Sequence, residues 1–285
     1  MIRHLLVLLA LYTAQTPPKP ADPAPQGAPA AAAPIALNVE KLTHLCADGV
    51  TLTADFYGLP FGAEERPTFV CFHMENGSRA EFAKIAPRFA EYACCTLAVD
   101  LRNGKATDGV ANETAASAAS VQKKTAFTNE EAFADVVEAL KWARELRPKS
   151  KLFVLGSGTS AALVLVAAAR DAACADVVFA FSPGEDVAGW SIAVEVRKVG
   201  VPTYITCDGT PEEGARARLI GNSINKKLRQ MVIPTAVQGA ARGSAVLVQT
   251  DPALRDRHWL TVVKMILQLA PLAPTAPAGD PFKKP

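Results

Sequence analysis

The residues equipped for chemistry gather at a few turns. The first is Gly156-Ser157-Gly158-Thr159-Ser160. It follows the largely apolar run Lys151–Leu155 and precedes the apolar run Ala161–Ala169. That pattern predicts a buried strand, a sharp reversal and a helix hydrophobic on nearly all sides. A hydroxyl presented at such a reversal can attack an acyl group if a base takes its proton and an acid holds the base. Here Ser157 and Ser160 flank the reversal, and Gly158 between them carries no side chain. Outside the N-terminal His4, only His44, His73 and His258 can serve as a base. Arg242, in Gly239-Ala-Ala-Arg-Gly-Ser244, stays protonated at ordinary pH and cannot.

Each of these residues also has a plainer role. Ser157 fits a hydrogen bond to the backbone of the reversal, and Ser160 fits the first turn of the helix. His73, in Phe72-His-Met-Glu-Asn-Gly77, fits a brace for its own loop, and His258, beside Trp259, a helix-packing residue. Arg242 could grip a ligand carboxylate or pair with Glu75 or another acid. The six cysteines (46, 71, 94, 95, 174 and 207) show no metal-ligand spacing. Cys71 with Cys94 or Cys95 is the first disulfide pair to check. There is no Rossmann or P-loop glycine pattern, so no cofactor and no metal is expected.

The elements that must position these residues read in order. Leu37–Cys46 and Val50–Tyr57, joined at Ala47-Asp-Gly49, predict a hairpin, and Thr68–His73 a buried strand. Ser78-x-x-Glu81 predicts a capping box, opening a helix with Phe82, Ile85, Phe89 and Tyr92 on one face. A strand at Cys94–Asp100 and a polar loop over 103–126 with helix-forming alanines follow. Thr128-x-x-Glu131 then caps a helix carrying Phe133, Val136, Val137 and Leu140. Beyond the reversal come strands at Asp176–Pro183 and Val201–Thr206, a charged helix over Pro211–Arg229, and a strand at Val232–Val237. Asp251-Pro252 starts the final helix. Strands alternating with helices after a hairpin predict a mostly parallel sheet covered on both faces.

The 285 residues, 49% of them hydrophobic, can bury a full core in one domain. A net charge of +2 and the lack of a basic, aromatic-interleaved cluster argue against a nucleic-acid partner. Arg3 and His4, then Leu5–Leu11, then Thr13-Ala14, form the pattern of a signal peptide over 1–14. The apolar run is too short to span a bilayer. The expected mature protein is therefore secreted or periplasmic, with no membrane span after cleavage. Pro/Ala-rich composition predicts a disordered linker over 15–35 and a disordered tail over 271–285, leaving a folded domain at 36–270.

Taken together, Phe72-His-Met-Glu-Asn-Gly-Ser-Arg-Ala-Glu-Phe82, Ala98-Val-Asp-Leu-Arg-Asn-Gly104, Gly156-Ser-Gly-Thr-Ser-Ala-Ala-Leu163 and Ala180-Phe-Ser-Pro-Gly184 resemble, in order, segments of α/β-hydrolases near the dienelactone-hydrolase branch. The resemblance covers nearly all of residues 50–270. It implies the α/β-hydrolase fold: a mostly parallel twisted sheet of about eight strands, opening with an antiparallel hairpin, with helices on both faces. It also implies a nucleophile at position 158, a histidine base at 242, and an acid at Asp208, Thr210 or Glu212. His73, Met74 and Glu75 would form the oxyanion loop. The sequence departs from that pattern with Gly158 and Arg242, and Glu75 would set a carboxylate against a developing oxyanion.

Two functions follow. The first is an exported hydrolase-fold protein without a working triad, with a binding or structural role and room for a small-molecule ligand in the old cleft. The second is an active serine esterase using a displaced Ser157 or Ser160.

Overall fold

The computed structural model describes residues 37–59, 64–234 and 241–270. The expected signal peptide, the linker and the tail lie outside them.

The hairpin forms as β1 (Asn38–Leu45) and β2 (Thr51–Gly58), and β3 is Thr68–Phe72. The helix expected after Ser78 is broken into a 3-10 turn (Arg79–Phe82) and a short α1 (Ala86–Ala90). Pro87 explains the break, because it has no N–H to continue the preceding turn. Ser78 caps Ala80, and Glu81 does not close a capping box but reaches elsewhere. After β4 (Cys95–Val99), the expected polar loop contains a helix, α2 (Glu113–Gln122), capped by Asn112. The Thr128/Glu131 capping box starts α3 (Asn129–Leu146).

The stretch around the reversal gives β5 (Leu152–Ser157) and α4 (Thr159–Arg170). Then come β6 (Val177–Phe181), a small hairpin of β7 (Asp186–Val187) and β8 (Trp190–Ser191), and α5 (Ile192–Glu195). The chain continues through β9 (Thr203–Thr206), α6 (Pro211–Ser223), β10 (Arg229–Val232) and α7 (Pro252–Leu269). Two expectations shift here. The charged helix stops at Ser223, where Ile224 turns extended, and a strand runs over Arg229–Val232; residues 235–237 of the strand expected at Val232–Val237 lie outside the described residues.

Eight strands form one sheet in the order β1-β2-β4-β3-β5-β6-β9-β10. The β1–β2 and β2–β4 pairs are antiparallel and all later pairs parallel. Every residue of β3, β4, β5 and β6 is buried, as strands covered on both faces must be. The period-two alternation sorts their side chains into two cores. Val70, Phe72 and Val154 face α3 and α4. Phe69, Cys71, Phe153 and Phe179 face α1 and α7, where Phe69 stacks on Phe89 at 3.7 Å between centroids.

All six cysteines are free thiols. In the β3–β4 register Cys71 pairs with Ala98, and Cys95 pairs with Thr68. Three residues of strand, about 10 Å, separate the expected partners, too far to bridge.

Candidate functional site

The parallel strands β3, β5, β6 and β9 end on one edge of the sheet, where such folds place their sites. Two close approaches shape the reversal after β5. A Cβ on Gly156 would lie 2.5 Å from the Ser160 carbonyl oxygen and 2.6 Å from Ala161 Cα, so only glycine lets α4 fold back this tightly. Gly158 sits at φ 61°, ψ −125°, a left-handed conformation that side chains rarely adopt. Its N–H donates to the Phe181 carbonyl (2.8 Å), which fixes the apex of the turn.

The space above Gly158 is filled from the loop after β3. Glu75 points inward, and its Oε2 accepts the Thr159 N–H at 2.9 Å. A Cβ on Gly158 would meet that same oxygen at 2.4 Å and Met74 Cγ at 2.7 Å. The Met74 N–H is taken in turn by Glu81 Oε2 at 2.7 Å. The Met74 and Thr159 backbone donors are thus both bonded to the chain's own carboxylates. By sequence alone Glu81 reads only as part of a cap.

Arg242 closes the arrangement from the other side. Its Nη1 meets Glu75 Oε1 at 2.7 Å and its Nε meets Glu213 Oε1 at 2.5 Å. One guanidinium therefore bridges two acids, a geometry its fork of donors suits. Burial pushes the Glu75 carboxyl up, but the Thr159 N–H and the guanidinium outweigh it and leave the group below its ordinary value. Burial likewise opposes the charge on Arg242, and the two carboxylates more than restore it.

The acid beside Arg242 is not among the three expected. Asp208 accepts from the Thr210 N–H and hydroxyl, Thr210 caps α6, and Glu212 is exposed. Glu213, one residue further, turns inward because it sits at the third position of that capped helix. The run Thr210-Pro-Glu-Glu213 carried the signal, since a capped first turn presents only one of the two glutamates to the core.

The two serines are bonded elsewhere. Ser157 Oγ is buried and accepts the Ser244 N–H (2.9 Å), while a Cβ on Gly243 would meet it at 2.2 Å. Ser160 Oγ donates to the His73 carbonyl (2.6 Å) from the first turn of α4. Ser244 Oγ donates to Glu81 Oε1, and Gly243 N–H donates to Ser182 Oγ at 3.1 Å. Residues 242–244 are therefore pinned by Glu75, Glu213, Ser157, Ser182 and Glu81 together.

Among the described residues no serine hydroxyl bonds to a histidine ring. His73 Nε2 accepts the Leu101 N–H (2.9 Å), so Nδ1 carries the proton and donates to the Met74 carbonyl (2.8 Å). It braces its loop. His258 Nδ1 faces the Tyr204 hydroxyl (2.9 Å) and Thr206 Oγ1 (3.2 Å), and burial, aided by Arg257, pushes its pKa down to about 4. His44 stacks on Trp142. No group of three or more His, Cys, Asp or Glu able to hold a metal occurs among the described residues. No helix among them is long and apolar enough to cross a membrane.

No protein-family model and no curated protein matches this sequence. Solved structures do. A dienelactone hydrolase from Anabaena variabilis superposes with a TM-score of 0.62 at 17% identity, over 82% of this chain and 98% of that one. An esterase from Pyrococcus furiosus gives 0.59 at 14% identity, over 81% and 92%. A carboxyl esterase from Bacillus coagulans gives 0.60 at 11% identity, over 82% and 99%. At these identities the likeness speaks to architecture alone. With its strand order, its reversal between β5 and α4 and these neighbours, the chain has an α/β-hydrolase fold of the dienelactone-hydrolase-like form.

Proposed function

We propose that this is an exported hydrolase-fold protein whose catalytic site is degenerate, and that the old site now serves structure by tying together the loops at the carboxyl edge of the sheet. One observation carries the reading. The Thr159 N–H, which would face a developing oxyanion, holds the Glu75 carboxylate instead, directly above a glycine that offers no nucleophile. A carboxylate already in that place repels a second negative charge where a working site would attract it. Arg242, held charged between two acids, cannot take a proton. The alternative, a displaced serine, is disfavoured because Ser157 and Ser160 are both buried and neither hydroxyl is bonded to a histidine ring among the described residues.

The test is a serine-directed fluorophosphonate probe and a short-chain aryl ester. They are applied to protein recovered outside the cytoplasm, whose N-terminal sequence should begin near Gln15. The natural chain should remain unlabelled and hydrolyse the ester at the background rate. An enzyme stripped of its triad keeps roughly 10³–10⁴ over water from its oxyanion hole and binding, and Glu75 removes that contribution here. Gly158→Ser with Arg242→His should still fail, since the new side chain collides with Glu75. Adding Glu75→Gly is the step expected to permit labelling. Labelling of the natural protein that disappears in Ser157→Ala or Ser160→Ala establishes the esterase reading instead.

A further inference from the structure

The far end of α4 carries a second feature, independent of the old site. Between α3 and the end of α4 lies a half-open groove of about 530 Å³, floored by Val137, Leu140, Ala167 and Cys174, with Phe133 at one end. Its volume falls within the roughly 300–1,000 Å³ of small-molecule sites. Small residues at Ala167 and Ala173 leave the space that larger side chains would fill.

Charge around the groove selects the ligand. The three cations on its rim are already matched. Lys141 pairs with Glu138 (2.8 Å), Arg144 with Asp176 (3.1 Å) and Arg170 with Glu195 (3.3 Å). Two more carboxylates, Glu145 and Asp171, line the groove beyond these pairs. Helices α3 and α4 both end beside it, at Leu146 and Arg170, so two sets of terminal carbonyls add partial negative charge. The aromatic end already accommodates a cation. The Arg170 guanidinium lies 4.2 Å from the Trp190 ring centroid and 5.2 Å from that of Phe133.

We propose that this groove binds a small organic cation with an apolar body: the hydrocarbon lies on Val137, Leu140 and Ala167, and the ammonium head faces Glu145 and Asp171. The full-length protein is titrated calorimetrically with three ligands of one skeleton, 4-phenylbutylamine, 4-phenylbutanol and 4-phenylbutanoate, at pH 7.5. The amine should bind with one-to-one stoichiometry, and about tenfold more tightly than the carboxylate. Glu145→Gln and Asp171→Asn should each weaken it by about threefold, the size of a solvent-exposed charge interaction. Ala173→Trp, at an exposed position, should fill the groove and abolish binding, with Val137→Trp as a second filling variant. Carboxylate binding as tight as that of the amine overturns the choice of a cation. Undiminished binding in both filling variants overturns the location, and absence of saturable amine binding overturns the site.

Discussion

The two ends of α4 are built from opposite materials. At Thr159 the helix starts against a crowd of polar groups, their donors met by carboxylates, hydroxyls and backbone carbonyls of the same chain. At Arg170 it stops beside a largely apolar hollow also lined by two further acids, Glu145 and Asp171. The first end is filled by its own side chains. The second has no catalytic geometry and retains open volume. Such an arrangement of loops acts as an internal clasp, because satisfied polar groups stabilise only in their existing geometry. An open groove at a helix end carries no such constraint.

The largest expected effect is on pH dependence and comes from His258, which bonds Thr206 at the carboxyl end of β9. His258 is neutral in the fold, with its Nδ1 within hydrogen-bond distance of the Tyr204 hydroxyl and Thr206 Oγ1. Its pKa falls from the ordinary value near 6.5 to about 4 through burial and then Arg257. Between those values the unfolded chain binds a proton that the folded chain does not, so stability is lost as pH drops from about 6.5 to about 4. The full loss is on the order of 3 kcal/mol. Urea unfolding at pH 7.5 and 4.5 measures it, and His258→Gln should flatten the difference. An equal pH dependence in that variant refutes the assignment.

Next in size is Gly158→Ala. Its φ of 61° strains any side chain, and the new Cβ displaces Glu75. Together these should cost about 2 kcal/mol. In a Glu75→Ala background the cost should fall by about 1 kcal/mol, which a double-mutant cycle by urea unfolding resolves. An unchanged cost places the carboxylate somewhere other than above the glycine.

Sequence reached the fold more readily than the site. Apolar runs such as Leu152–Leu155 and Val177–Phe181 declare buried parallel strands by themselves, and Thr128/Glu131 announces a helix. Pro87 was equally visible, yet the helical spacing of Phe82, Ile85 and Phe89 concealed that one helix would become two turns. At the site, Gly158 and Arg242 stood out as residue types unfit for acyl transfer. Their partners did not. Glu213 was passed over for its neighbours because only the helix cap decides which glutamate turns inward. Glu81 was read locally, yet it binds Met74, seven residues back, and Ser244, 163 residues on. Contacts across such a separation follow from sheet order, which composition and periodicity do not encode. The groove at the far end of α4 was invisible for a similar reason: it is a gap between helices that were each read correctly.

The smallest expected effect separates the two ends most directly. A carboxylate near the C-terminus of a helix faces the negative end of the helix dipole, where it weakens the fold by a few tenths of a kcal/mol. Glu145 stands in the last turn of α3, and Asp171 directly follows α4. Asp171 also accepts the Ala173 N–H at 2.9 Å, a bond that asparagine can keep through its carbonyl oxygen. Glu145→Gln and Asp171→Asn should therefore each raise stability, by about 0.3 kcal/mol, while weakening the cation. Gain of stability with loss of binding is the pattern of residues held for a ligand rather than for the fold. Paired thermal and urea unfolding at low salt, where surface charge is least screened, gives the sign. If both substitutions destabilise the protein, the acids belong to the scaffold, and the two ends of α4 are alike in serving structure.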